Sequence, residues 1–284
     1  MALGTAYRFG ARLARLTPPK LRYAAAAQAG AAFYLANPLR RGPARSNYAA
    51  VLRRPPADPE VRRVVRRASA NYGRMLADFL LMGSLSAQDV QRMLSLEGKE
   101  HIDGALAGGR GAILALPHMG SWDLCGSLAG ILGYRILAVA EPMPGSLNRE
   151  IVETRSRHGL DIVMLGRRAI PEIRGALEAN HLVALLCDLP HGPGVRVSMF
   201  GRHATVPLGP GSLACRHQCP VVPVCSWRVT PGLYRVHADP PITPPETATR
   251  ESAREVMQQI ADRFEVFVRA HPEDWYAFRP VLVD

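Results

Sequence analysis

Residues 113–126 read ILALPHMGSWDLCG. An apolar run of strand length stops at Pro117 and a histidine, His118, follows at once. Gly120-Ser121 then opens a segment whose acid, Asp123, lies five residues past the histidine. The pattern is that of a buried strand handing a histidine to a helix start. If the helix begins near Ser121, Asp123 falls in its first turn, where the macrodipole favours a carboxylate. From there it can fold back to accept from one ring nitrogen of His118, fixing the tautomer. The other nitrogen is then left to take a proton from a hydroxyl. Spacing alone does not establish this. With 9 histidines in the chain, chance supplies about 0.35 His-x4-Asp pairs, and a satisfied core histidine beside a helix-start acid explains the same letters.

Outward from this stretch, strand-length apolar runs alternate with helical ones. Strands are expected at 112–116, 134–140, 161–164, 182–187, 221–226 and 233–238; helices at 121–132, 147–157, 171–179, 211–217 and 249–270. Continuous apolar strands bounded by helices predict an α/β fold: a single domain with a mostly parallel central sheet flanked by helices. Sites in such sheets lie at the carboxyl ends of strands, where His118 and Asp188 both stand.

The first third differs in composition. The net charge of +11 sits entirely in residues 1–100, which carry 17 Lys/Arg against 6 Asp/Glu, whereas residues 101–284 are balanced at 18 of each. A basic face of this kind meets nucleic acid or an anionic membrane. Residues 4–16 read as a basic amphipathic helix, 20–36 as a second helix and 58–82 as a long one. Residues 40–67 are arginine-dense and expected to be a solvated face, and 88–96 a short linker element. The expected organisation is a basic helical membrane-facing part, 1–100, and an α/β catalytic core, 101–284, together forming one structural unit. The most apolar stretch, 23–36, is short of the roughly 18 residues a membrane span needs, so any membrane contact is expected to be peripheral. Five cysteines form no disulfide framework and fit a reducing, cytoplasm-facing location.

LPHMGSWDLCG resembles the H-x-G-x-W-(D/E) block of bacterial glycolipid acyltransferases, the group holding lipid A lauroyl-type and phosphatidylinositol mannoside acyltransferases; His118, Gly120, Trp122 and Asp123 match. Further blocks follow in order. LNREIVETRSRHGLDIV (147–163) is similar to the family's arginine block, with Arg155 or Arg157 ahead of Gly159. LVALLCDLPHGPGVRVSMFGRHATVPLGPGSLA (182–214) is similar to its strand-Asp-loop block, with Asp188, Gly194, Phe200-Gly201 and Pro207 in place. HPEDWYAF (271–278) resembles the closing Pro-Glu-x-Trp block. Lipid A members usually carry a second Trp and paired arginines after that block. Here Tyr276-Ala277-Phe278-Arg279-Pro280 follows, closer to the mannoside branch.

The resemblance implies a glycerol-phosphate-acyltransferase-like fold and acyl transfer from acyl-CoA or acyl carrier protein to a hydroxyl of a membrane glycolipid. His118 is then the base, and Asp123 or Asp188 the acid that holds its tautomer. Arg155, Arg157, Trp122, Gly120 and Phe200 are the substrate-binding candidates. No metal and no cofactor beyond the acyl donor are expected. The expected location is the cytoplasmic face of the cell membrane. A lysophospholipid or glycerolipid acyltransferase is the alternative within the chemistry, and a basic nucleic-acid-binding protein the alternative outside it. The latter lacks interleaved aromatics and a docking motif. Ser212 has no Gly-x-Ser-x-Gly elbow around it, Gly209-x-Gly211-x-x-Ala214 does not directly follow a good strand in the sequence pattern and lacks the acid about 20 residues on, and Cys215-x-His217-x-Cys219 with Cys225 has an unusual spacing for zinc.

Overall fold

The computed structural model describes residues 2–192 and 194–283. Four helices open the chain: α1 (Ala2–Leu16), α2 (Pro19–Ala36), α3 (Pro38–Leu52) and α4 (Pro59–Met82). Pro19, Pro38 and Pro59 begin the last three, where a missing N–H and a fixed φ suit a helix start. Asp58 caps α4, its carboxylate accepting from the Glu60 amide at 2.7 Å. On α2, Tyr23, Ala27, Ala31 and Tyr34 form one buried stripe. The helix crosses α4 with backbones nearly touching: a Cβ on Gly30 would lie 2.2 Å from the Ser69 carbonyl oxygen, and one on Gly73 2.1 Å from that of Ala26. The alanine run nearest to a membrane span in sequence is therefore a close-packing surface. Among the described residues no helix is long and apolar enough to cross a membrane. Helix α3 departs from the solvated face expected over 40–67. Ala44, Tyr48 and Val51 form a buried helical stripe that the surrounding arginines mask in the sequence.

There follow α5 (Ala87–Met93), β1 (Leu94–Glu97), α6 (Lys99–Ala107), β2 (Ala112–Leu116), α7 (Trp122–Ile131), β3 (Ile136–Ala140), α8 (Ser146–Ser156), β4 (Leu160–Met164), α9 (Ala169–Glu178) and β5 (Leu182–Leu186). The chain continues through β6 (Gly194–Met199), β7 (Arg202–Pro207), α10 (Gly209–His217), β8 (Val221–Thr230), β9 (Leu233–Ala238), α11 (Arg250–Ala270), a 3-10 turn (Pro272–Asp274) and β10 (Leu282–Val283).

Seven strands form the central sheet in the order β1-β9-β8-β2-β5-β3-β4. All neighbours pair in parallel except β8 with β9. The fold is α/β with a mostly parallel sheet, as the alternation of runs predicts. All five residues of β2 are buried, as a central strand covered on both faces requires. Ile113, Ala115, Leu137 and Val183 face the core built with α3, α4, α9, α10 and α11. Leu114, Leu116, Ile136 and Leu182 face the one built with α5, α6 and α7. The segment expected as a linker, 88–96, is instead the helix α5, opened by a Ser86–Asp89 capping box, and the edge strand β1, so the sheet takes one strand from the first hundred residues. A second, antiparallel sheet, β10-β7-β6, holds the hairpin that follows Asp188. The five cysteines are free.

Candidate active site

Strands β2 and β5 lie side by side with Leu116 opposite Leu186, and the Cys187 amide adds one more bond to the Leu116 carbonyl at 3.0 Å. Two residues past each paired end come His118 and Asp188. The register alone thus brings a histidine and a carboxylate 70 positions apart to the same point, at the carboxyl edge of the sheet. His118 Nδ1 donates to Asp188 Oδ1 at 2.6 Å. Asp188 is fully buried and its second oxygen accepts from the Trp275 indole Nε1–H at 2.7 Å. With Nδ1 committed, Nε2 is the ring nitrogen left for a ligand, and the imidazole lines a large cavity.

The loop that carries His118 is tightly held. Gly120 has φ +63°, and a Cβ there would fall 2.2 Å from the Ser226 carbonyl oxygen. The Ser226 hydroxyl accepts from the Ser121 amide at 3.0 Å and donates to the Met119 carbonyl at 3.1 Å. Helix α7 then begins at Trp122, whose ring meets the His118 ring edge-on with centroids 5.4 Å apart.

Asp123 stands in the first turn of α7, but its carboxylate does not meet the imidazole. It accepts from Arg155 Nε at 2.7 Å, and Arg155 in turn lies over the Phe79 ring at 5.6 Å. Of the two acids left open by the sequence, the one that faces His118 is Asp188. The reason is geometric: a helix-start acid points along its own helix flank, whereas Asp188 arrives from the adjacent strand end.

The cavity, about 910 Å³, is lined by residues from both faces of the sheet: Leu114, Leu116, Ile136 and Val224 on one, Val139, Leu185, Ile173 and Leu213 on the other. Its charged lining is mostly cationic, with Arg40, Arg155, Arg216 and Arg279 against Asp123 and Glu141. Glu141 is itself paired with His191 at 3.1 Å. His118, Trp122, Asp123 and Arg155 line this space.

Arg157 and Phe200, both expected as substrate contacts, do not. Arg157 sits exposed at the end of α8. Phe200 is buried in the β6–β7 turn at φ +55°, with its ring 5.6 Å from that of Trp275 and its amide bound to Glu265 Oε1 at 2.5 Å. It supports the site from behind. Gly120 shapes the loop rather than the cavity wall.

Sequence reasoning missed Trp275, although it stands in a block already singled out. Nothing in a linear reading says which carboxylate a distant indole will meet.

Comparison with known proteins makes the class plain: the chain is an acyltransferase. It belongs to the bacterial lipid A biosynthesis acyltransferase family, whose model matches residues 2–282. It is 32% identical over 248 residues to a phosphatidylinositol mannoside acyltransferase of Mycobacterium tuberculosis, covering 83% of this chain and 75% of that protein. It is also 32% identical over 245 residues to a protein of the same name from Mycolicibacterium smegmatis, covering 83% and 77% respectively. Among solved structures it is similar to a 1-acyl-sn-glycerophosphate acyltransferase of Thermotoga maritima, with 17% identity, a TM-score of 0.41, and coverage of 74% of this chain and 84% of that one.

Proposed function

We propose that the protein transfers a fatty acyl chain from acyl-CoA or acyl carrier protein to a hydroxyl of a membrane glycolipid, of the phosphatidylinositol mannoside type. The observation that carries this is the His118–Asp188 pair at 2.6 Å on the wall of an apolar cavity. Nε2 of His118 takes the proton of the acceptor hydroxyl as its oxygen attacks the thioester carbonyl. Asp188 stabilises the imidazolium that forms. The tetrahedral oxyanion collapses, the carbon–sulfur bond breaks, and the imidazolium returns the proton to the departing thiolate. The acceptor oxygen is itself the nucleophile, so no acyl-enzyme is needed. Arg155, held in place by Asp123, supplies a cation on the same wall for the oxyanion or for a phosphate of either substrate. The names of the relatives, and the Tyr276–Pro280 sequence that departs from the lipid A pattern, favour a mannoside acceptor over lipid A.

The enzyme acts from a membrane surface, peripherally and on the cytoplasmic face. Support comes from the basic first hundred residues and from Leu3, Phe9, Leu13 and Leu16, all exposed on α1. The decisive experiment has two arms. Lipid mass spectrometry of a deletion strain should show one glycolipid short of one acyl chain, restored by the wild-type gene. Purified His118→Ala should transfer nothing while melting like the wild type, and persistent transfer would remove His118 as the base.

A further inference from the structure

We propose that Trp275 is a positioning residue for this reaction: its indole N–H sets the plane of the Asp188 carboxylate and, through it, the tautomer of His118. The inference rests on His118 acting as the base. Asp188 is fully buried, and each of its oxygens receives one side-chain donor, His118 Nδ1 at 2.6 Å and Trp275 Nε1 at 2.7 Å. The terminal torsion of an aspartate is soft, so a carboxylate held by one donor swivels. A second donor on the other oxygen fixes it.

Trp275 is itself over-determined. It is fully buried, its ring lies 5.8 Å from that of Tyr48, and its carbonyl accepts from the Tyr48 hydroxyl. The residues on either side of it clasp the histidine loop. The Gly120 amide donates to the Asp274 carbonyl at 2.9 Å, and the Tyr276 amide to the His118 carbonyl at 2.8 Å. Asp274 is anchored by Asn71 Nδ2 and by the Arg228 amide, each at 3.1 Å. One three-residue segment therefore holds the backbone of the histidine and the side chain of its carboxylate partner at once. A buried indole N–H needs an acceptor, and here it takes the one oxygen of Asp188 that His118 leaves free. At metal sites, removing the outer partner that orients a histidine costs about 10- to 100-fold in affinity or activity, and an effect of the same order is expected here.

The test replaces Trp275 in two ways: Trp275→Phe, and incorporation of 3-benzothienylalanine, which keeps the bicyclic shape and puts sulfur where the N–H was. Both should lower kcat by about 10- to 100-fold with KM for donor and acceptor unchanged, and the isostere should keep the wild-type melting curve. In an Asp188→Asn background, where the tautomer is no longer enforced, Trp275→Phe should add little, because its effect runs through Asp188. In the proton spectrum, the deshielded Nδ1–H signal of His118 should be present in the wild type and broadened or lost in the isostere. An isostere with wild-type kcat and an unmoved Nδ1–H signal, or effects that multiply in the double variant, would overturn the inference. A wild type that transfers no acyl chain would instead sink the reading of His118 as base, while the Nδ1–H signal would still report whether Trp275 holds the pair.

Discussion

Asp123 and Asp188 are both within reach of His118 as far as sequence can tell, and in the fold they have separate partners, Arg155 and His118. Asp188→Asn should lower kcat by about 10²- to 10⁴-fold through the wrong imidazole tautomer, with KM little changed. Asp123→Asn should act on Arg155 and raise KM, and steady-state kinetics on the two variants separates these roles. Asp274 carries a different consequence. Burial pushes its carboxyl up to about 7, against the stabilising bonds from the Arg228 amide and Asn71. Between the ordinary value near 4 and 7, the folded protein holds a proton that the unfolded chain has released. This group's contribution to stability therefore falls as pH rises through that window and levels off above it. Asp274→Asn, which keeps an acceptor in place, should flatten the slope in urea titrations between about pH 4 and 7. At this scale the sequence was legible in part. His118 and Asp188 stand out because strand ends in a parallel sheet attract chemistry, and Asp123 because it falls in the first turn of the helix that follows the histidine. That Asp188 wins was not legible, because the adjacency of β2 and β5 is a property of strand order. That Phe200 and Arg157 lie off the cavity was not legible either, since a motif fixes a residue's place in the chain but not the direction of its side chain.

Among the elements, α1 is two-sided. Its inner side docks on α8 through the Gly4 amide to Ser146 Oγ at 3.1 Å, Tyr7 Oη with Thr154 Oγ1 at 3.0 Å, and an ion pair of Arg8 with Glu150 at 2.5 Å. Its outer side leaves Phe9 and Leu16 about two-thirds or more exposed, at 68% and 75%. Because α8 also carries Arg155, removing α1 altogether would disturb the site as well as the proposed membrane contact. Substituting only the outer face, Phe9→Ser with Leu13→Ser and Leu16→Ser, should lower sedimentation with anionic vesicles and leave activity on a detergent-solubilised acceptor unchanged. Wild-type sedimentation by that variant would argue against α1 as the membrane contact. The α2–α4 crossing allows a sharper stability test. Gly30→Val forces a side chain into the Ser69 carbonyl and should cost about 1–3 kcal/mol or more by thermal melting. Helices with a clean apolar stripe, such as α4 and α11, were readable from periodicity. The β6–β7 hairpin also had its signal, with Val195, Val197 and Met199 alternating inward before a Phe-Gly turn, but the block's many glycines and prolines gave it the look of a loop.

For the molecule as a whole, the positive excess of the first hundred residues falls on the segment of α1 to α4, while residues 101–284 are balanced. Each arginine near an anionic surface contributes about 1 kcal/mol, and the attraction is screened within about 10 Å at 0.1 M salt. Vesicle binding should therefore weaken steeply with added salt and with removal of acidic lipid; salt-insensitive binding would assign the contact to the apolar residues alone. The fold class was readable because alternating runs encode it. The shape of the cavity was not, since its walls are drawn from both faces of the sheet and read in sequence as ordinary core. The clasp around His118 has one further consequence, for synthesis. The histidine leaves the ribosome about 157 residues before Trp275, so a nascent chain folded through β9 has His118 and Asp188 on adjacent strand ends and the Ser226 bonds to the histidine loop, but neither the Trp275 N–H on Asp188 nor the Asp274 and Tyr276 backbone bonds. Acyl transfer by such a chain is expected to stay below that of the full protein until the segment through Tyr276 has emerged and docked.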